Sequence, residues 1–81
     1  MGKKIVGFAV QIEVRVNENW KPVVRYDTAH GFAHQDVIHY DGRKEKRPIP
    51  FQDWNEALSY AESDLRTNWG LYRDRFLKEA K

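Results

Sequence analysis

Cysteine is absent from the 81 residues, which excludes a disulfide framework and a zinc–thiolate centre. A reducing compartment follows as the simple expectation. A continuous apolar run is also missing. The opening stretch MGKKIVGFAVQIEVRV carries two lysines and then alternates apolar with polar residues, so it reads neither as a signal peptide nor as a membrane span. The chain is therefore expected to be soluble and cytoplasmic, with no membrane partner. No repeat, linker or low-complexity segment breaks it up. No glycine-rich phosphate loop, nucleophile elbow or usefully spaced carboxylate pair occurs. Charge of one sign is weak too. The formal net charge is +2, which permits an anionic partner without implying one.

What is present suits one small domain spanning residues 1–81. A chain of this size buries only about 60% of its unfolded surface. Aromatics make up 14% of the residues and supply large buried area where the core is small.

From Val6 to Val16 the alternation is strict. Val6, Phe8, Val10, Ile12, Val14 and Val16 share one face; Gly7, Ala9, Gln11, Glu13 and Arg15 share the other. A three-residue loop at Asn17-Glu18-Asn19 would pair Val16 with Trp20, Val14 with Pro22, Ile12 with Val24 and Val10 with Tyr26. Pro22 gives no N–H to a ladder. TAHGFA reads as a loop in which Gly31 is free to take positive φ. HQDVIHY reads as a third strand whose inward face is either His34, Asp36, Ile38 and Tyr40 or Gln35, Val37 and His39, with the face of Ile38 and Tyr40 favoured. Asp41-Gly42 is a type I′ turn signal, which would set Arg47 opposite Asp36 and Lys44 opposite His39. The charged RKEKRP segment suits an exposed sheet edge.

The remainder has helical period. Asp53 is the expected N-cap, with Glu56 in a capping-box-like position. Trp54, Ala57, Leu58, Ala61, Leu65, Trp69, Tyr72 and Phe76 recur at spacings of three and four. Gly70 falls on the opposite side. Asp64, Asp74, Glu79 and the late basic residues read as an ordinary solvent face. An overhang of this long helix at Trp69, Tyr72 and Phe76 would need cover from another chain, so a homodimer is one expected partner arrangement. The fold class is α+β: an antiparallel three- or four-stranded meander, strands about 4–16, 20–28, 34–41 and 43–49, with one long C-terminal helix, about 53–79, across one face.

Chemistry concentrates in RYDTAHGFAHQD, residues 25–36. Two histidines around a glycine turn can act as acid and base near neutral pH without a metal. His30, His34 and Asp27 are the candidate catalytic residues, Asp27 orienting an imidazole tautomer. Arg25, with its planar fork, and Arg43, Lys44, Lys46 and Arg47 on the basic edge are the candidate substrate contacts. His30, His34 and His39 with Asp27 or Asp36 also offer nitrogen and oxygen ligands, but D-x2-H-x3-H matches no strong metal signature. No metal ligand and no cofactor is assigned. The alternative is a polar turn in which Arg25, Asp27 and His30 only hold the loop.

VVRYDTAHGFAHQD, followed by FQDWNEALSYAESDLRTNW, resembles a small prokaryotic domain family of unknown function with the pattern R-Y-D-x-x-H-G-x-x-H. It is also similar to TumE-type toxins of toxin–antitoxin pairs, whose turn is followed by histidine. The resemblance implies a long hairpin, a short β segment and a C-terminal helix, with Arg25, Tyr26, Asp27, His30, Gly31 and His34 on the motif positions. The toxin pattern often has a further histidine where this chain has Asp36. Two functions stay open. One is a toxin-like, RNA-directed protein, either a metal-independent ribonuclease or an RNA binder, with an antitoxin-like protein partner. The other is a non-catalytic interaction or structural module. Whether the chain is an enzyme is not decided by these residues.

Overall fold

A computed structural model of the chain describes residues 7–29, 31–51 and 53–80. Strands β1 (Ala9–Val16), β2 (Asn19–Asp27), β3 (His34–Ile38) and β4 (Lys44–Pro48) precede one helix, α1 (Trp54–Glu79). The strands form an antiparallel sheet in the order β1-β2-β3-β4. This is the expected α+β meander with its long C-terminal helix. Gly7 and Phe8 lie outside β1, and the rest of the expected strand start falls outside the described residues. The molecule measures 48 × 22 × 19 Å. The 26-residue helix, about 39 Å at 1.5 Å per residue, accounts for most of the long axis.

The first hairpin differs from expectation at its tip. Asn17 and Glu18 both take positive φ, 51° and 71°, in a two-residue turn that pairs Val16 with Asn19. Lys21 therefore faces Val14, and Trp20 faces Arg15 and stands 63% exposed. The register then shifts between Ile12 and Glu13, so that Val24 faces Ile12 and Tyr26 faces Val10, as the alternation predicts. The extra residue is Val23, a bulge beside Pro22. A bulge is one of the few places where a sheet tolerates proline. Val23 and Val24 are both fully buried.

The second correction concerns β3 and β4. His39 N donates to Arg43 O and Gly42 N donates to His39 O, with Gly42 at φ 93°. Tyr40-Asp41-Gly42 is thus a three-residue loop with glycine in the left-handed position, not a two-residue type I′ turn. The register moves by one: Lys46 faces Asp36, Arg47 faces Gln35 and Lys44 faces Ile38.

The third correction is the inward face of β3. Tyr26 bonds to the helix through Asp64, and Gln35 sits opposite Tyr26 and bonds to Tyr72. Gln35 and Val37 therefore face α1, while His34, Asp36 and Ile38 face away. A one-residue alternation error moves a whole set of side chains through the sheet.

Asp53 caps α1 in an extended conformation and accepts from Asn55 N, rather than from the Glu56 position of a capping box. Ala57, Ala61 and Phe76 are buried under the helix, where Phe76 joins Val14 and Val23 in the core. The small alanines let the helix sit close to the strands. Trp69, expected in the core, is 51% exposed, with the Arg73 guanidinium 4.8 Å over its ring. Phe76 needs no second chain to cover it, because β1 and β2 already do.

Glu18 is a β-carbon residue held where glycine is preferred. Glu18→Gly is expected to raise stability by about 0.5–1 kcal/mol, the relief of left-handed strain being partly offset by unfolded-state entropy. Urea denaturation of the two chains measures it; an unchanged or lower midpoint would contradict a strained turn.

Candidate functional site

The sheet has two polar clusters, one on each face, and β2 contributes to both. On the helix side, Tyr26 and Tyr72 hydroxyls each donate to Asp64 Oδ2 at 2.6 Å, and Asn68 Nδ2 donates to Oδ1 at 2.8 Å. Gln35 Nε2 donates to both hydroxyl oxygens. Burial, followed by the hydrogen bond to Asp64, pushes the Tyr72 phenol up to about 12 and the Tyr26 phenol higher still. Neither ionises near neutrality. Tyr26 of the motif is thus a pin between sheet and helix. Asp64, read from sequence as solvent-facing, is the acceptor that this pin needs. Its signal was the row Asp64, Asn68, Tyr72 at i, i+4, i+8 beside the apolar stripe.

On the open face, Arg25 and Asp27 of β2 meet His34 and Asp36 of β3. The register pairs Asp27 with His34 and Arg25 with Asp36. Arg25 Nε donates to Asp27 Oδ2 at 2.7 Å, and Arg25 Nη1 donates to Gln11 Oε1 at 3.1 Å. Asp27 Oδ1 also accepts from Ala29 N, which starts the turn, and lies 2.8 Å from His34 Nε2. Burial raises the Asp27 carboxyl, but the bonds from Arg25 and Ala29 and the nearby His34 outweigh it and hold the group below the ordinary carboxylate range. Gly31 takes φ 83° as expected.

His34 is 1% exposed. Its Nδ1 lies 3.4 Å from Phe32 O, and the Phe32 ring packs against the imidazole at 5.5 Å. Asp36 Oδ2 is 3.8 Å from His34 Nε2, and Asp36 Oδ1 is buried with no hydrogen-bond partner among the described residues. One atom from each of Asp27, His34 and Asp36 lies within 4.8 Å of the other two, so these three could hold a metal ion.

These residues floor a hollow of about 370 Å³, rimmed by Arg25, Lys44 and Lys46. Lys44 and Lys46 carry no ion pair among the described residues. The other two basic-edge candidates do not join them. Arg43 pairs with Asp41 across the turn, and Arg47 pairs with Glu45 at 3.6 Å on the helix side of the sheet. His30 lies outside the described residues. Asp27 and His34, the other two candidate catalytic residues, are in contact. A second hollow of about 440 Å³ is lined by Gly31, Phe32, Ile49, Pro50, Phe51 and Trp54.

His39 belongs to a third group, where the β3–β4 turn meets the end of α1. Its Nε2 contacts Glu45 and its Nδ1 contacts Glu79 at 2.8 Å, while Arg75 also donates to Glu79. Glu79 further accepts from Tyr40 N. Glu79 and Arg75 were expected to be solvent-facing. Instead they tie the helix end to the turn, Arg75 reaching the carbonyls of Val23 and Ile38.

A family model described as "Domain of unknown function (DUF7718)" matches residues 1–81. No curated protein and no solved structure matches the chain.

The hydrogen bonds from His39 to Glu45 and then to Glu79 raise the His39 pKa above its ordinary 6.5. The same bonds lower Glu45, and those from Tyr40 N and His39 lower Glu79. The histidine contribution to stability is therefore complete below about pH 6.5 and is lost as pH rises through the folded value. The glutamate contributions fade at acid pH. The melting temperatures of wild type and His39→Gln are expected to differ most near pH 6 and to draw together as pH rises through the folded value. A pH-independent difference, with Asp41, Arg43, Arg47 and Arg75 unchanged, would contradict this network.

Proposed function

We propose that this chain, which belongs to that family of unknown function, is an RNA-directed protein whose open sheet face holds a backbone phosphate of single-stranded RNA. One observation carries the reading. Arg25, Lys44 and Lys46, from two strands, converge on a single hollow, and the lysines have no acidic partner among the described residues. The neighbouring cations Arg43 and Arg47 are already paired. Unpaired cations around a concavity are the electrostatic element of a nucleic-acid site.

Phe32 supplies the second element. It is 45% exposed, lines the hollow that holds Phe51 and Trp54, and packs its ring on His34, which lines the charged one. A cationic groove beside an aromatic platform matches single-stranded nucleic acid, whose bases stack while the backbone is held by charge. The likeness of the turn to TumE-type toxins points the same way. The Asp27–His34 pair sits at the floor of the hollow, where an imidazole held by a carboxylate has a fixed orientation toward whatever the rim binds.

The test is fluorescence anisotropy of a labelled single-stranded RNA across a salt series. Lys44→Ala and Lys46→Ala are each expected to reduce the slope of log affinity against log salt by about 0.7. Arg43→Ala and Arg47→Ala are expected to leave it nearly unchanged. Phe32→Ala is expected to cost roughly 1–3 kcal/mol, the value of one stacked base. Absence of binding at low salt, or equal effects from all four cation variants, would overturn the reading. In that case a protein partner for the same face is the arrangement to pursue.

A further inference from the structure

We propose that Asp27, His34 and Asp36 form a divalent transition-metal site, taking Zn²⁺ or Mn²⁺ at the floor of the open-face hollow. This goes beyond RNA binding and does not depend on it. The first support is the ligand set: one imidazole nitrogen and two carboxylate oxygens from adjacent strands, within 4.8 Å of one another. Such mixed nitrogen and oxygen donors suit these ions. The 2.8 Å between His34 Nε2 and Asp27 Oδ1 would open to about 3.4 Å around a tetrahedral ion with bonds of about 2.1 Å. Asp36 Oδ2, 3.8 Å from His34 Nε2, would close on the same ion to complete the set.

The second support is independent. Asp36 is 8% exposed, and its Oδ1 has no hydrogen-bond partner among the described residues. A buried, unpartnered carboxylate oxygen is costly. Lys46 is its cross-strand neighbour, yet no ion pair between them forms. A cation bound by this carboxylate, whose Oδ2 lies 3.8 Å from His34 Nε2, would offset that cost.

The third support is the imidazole. Its Nδ1 lies toward Phe32 O at 3.4 Å. A metal-ligating histidine commonly offers its other ring N–H to a backbone carbonyl in this way. With Nδ1 turned to that carbonyl, Nε2 is the ring nitrogen on the side of Asp27 Oδ1 and Asp36 Oδ2. Arg25 and Ala29 N hold Asp27 from outside, as supporting partners do around a metal. Three protein ligands leave further coordination positions toward the hollow, where Arg25, Lys44 and Lys46 gather anions.

The experiment is a calorimetric titration of the EDTA-stripped full chain with ZnCl₂, without RNA. Alongside it, histidine-ring NMR spectra are recorded with ZnCl₂ and with MnCl₂. One equivalent is expected to bind, with His34 ring signals shifted by Zn²⁺ and broadened by Mn²⁺. Asp36→Asn, nearly isosteric, is expected to bind at least about tenfold more weakly, in line with the loss of a metal-site partner. His39→Gln is expected to bind as wild type does. Urea denaturation of Asp36→Asn checks that it folds; should it not, the His34 ring signals of wild type decide alone. No stoichiometric binding, unmoved His34 signals, or undiminished affinity in folded Asp36→Asn would each overturn the site. RNA anisotropy repeated in EDTA separates the two proposals: RNA binding that persists there while Zn²⁺ fails to bind removes only the metal site.

Discussion

A single helix can cover only one face of a four-stranded sheet. That constraint organises the molecule. Under α1 the sheet presents Val23, Val24, Tyr26 and Val37, and the apolar area removed from water drives folding. The other face has no second layer among the described residues. Yet β2 and β3 still bury Asp27, His34 and Asp36 there. These groups cannot be stabilised by apolar packing. They are held by one another, by Arg25 and by the turn backbone. Burying charge in this way is a poor route to stability, because desolvation cancels much of the pair attraction.

Strand β2 is the wall shared by both faces, and the bulge at Val23 sets its phase. Without the extra residue, the two-residue turn at Asn17-Glu18 would carry its register through the whole hairpin. Tyr26 would then lie opposite a different β1 residue from Val10. With it, Tyr26 points to Asp64 and its neighbours Arg25 and Asp27 point to the hollow. Bulges commonly aim side chains near functional sites. The Asp64 pin reinforces the same phase, since Tyr26 cannot turn away without stranding a carboxylate that accepts three hydrogen bonds.

The pattern of the chain showed the large features for physical reasons. Period-two alternation in β1 and period-3.6 recurrence in α1 are local, so the strand, the helix and its Asp53 cap were legible. Turn geometry was less so. Asn-Glu is not a preferred left-handed pair, and Asp-Gly serves both a two-residue turn and a three-residue loop with glycine last. Each misreading moved a register by one. The face of β3 was ambiguous because Gln35, a polar residue, faces the helix, while Ile38 faces the open side. Arg25, Asp27 and His34 were legible as a group from their density in one turn. The entry of Asp36 was not, because it depends on β3 lying with His34 and Asp36 on one side. The separation of Lys44 and Lys46 from Arg43 and Arg47 follows from alternation along β4, which a run of basic residues conceals.

The open face joins two kinds of charge that conflict unless something stands between them. On the proposed reading Arg25, Lys44 and Lys46 would attract a phosphate, while an ionised Asp36 below them would repel it. At an effective dielectric near 20, two unit charges about 4 Å apart interact by about 4 kcal/mol, enough to cancel one such cation. Asp27 is already compensated by Arg25 and by Ala29 N; Asp36 has no equivalent. A divalent ion held as proposed by Asp27, His34 and Asp36 would cancel the two carboxylate charges of the floor, so that the floor no longer works against the rim. By linkage, an anion that approaches the ion must then strengthen the ion's own binding by the same factor. On the proposed reading the exposed lysines and the buried carboxylates are parts of one site, with Asp36 supplying the ligand that fits it to a metal ion.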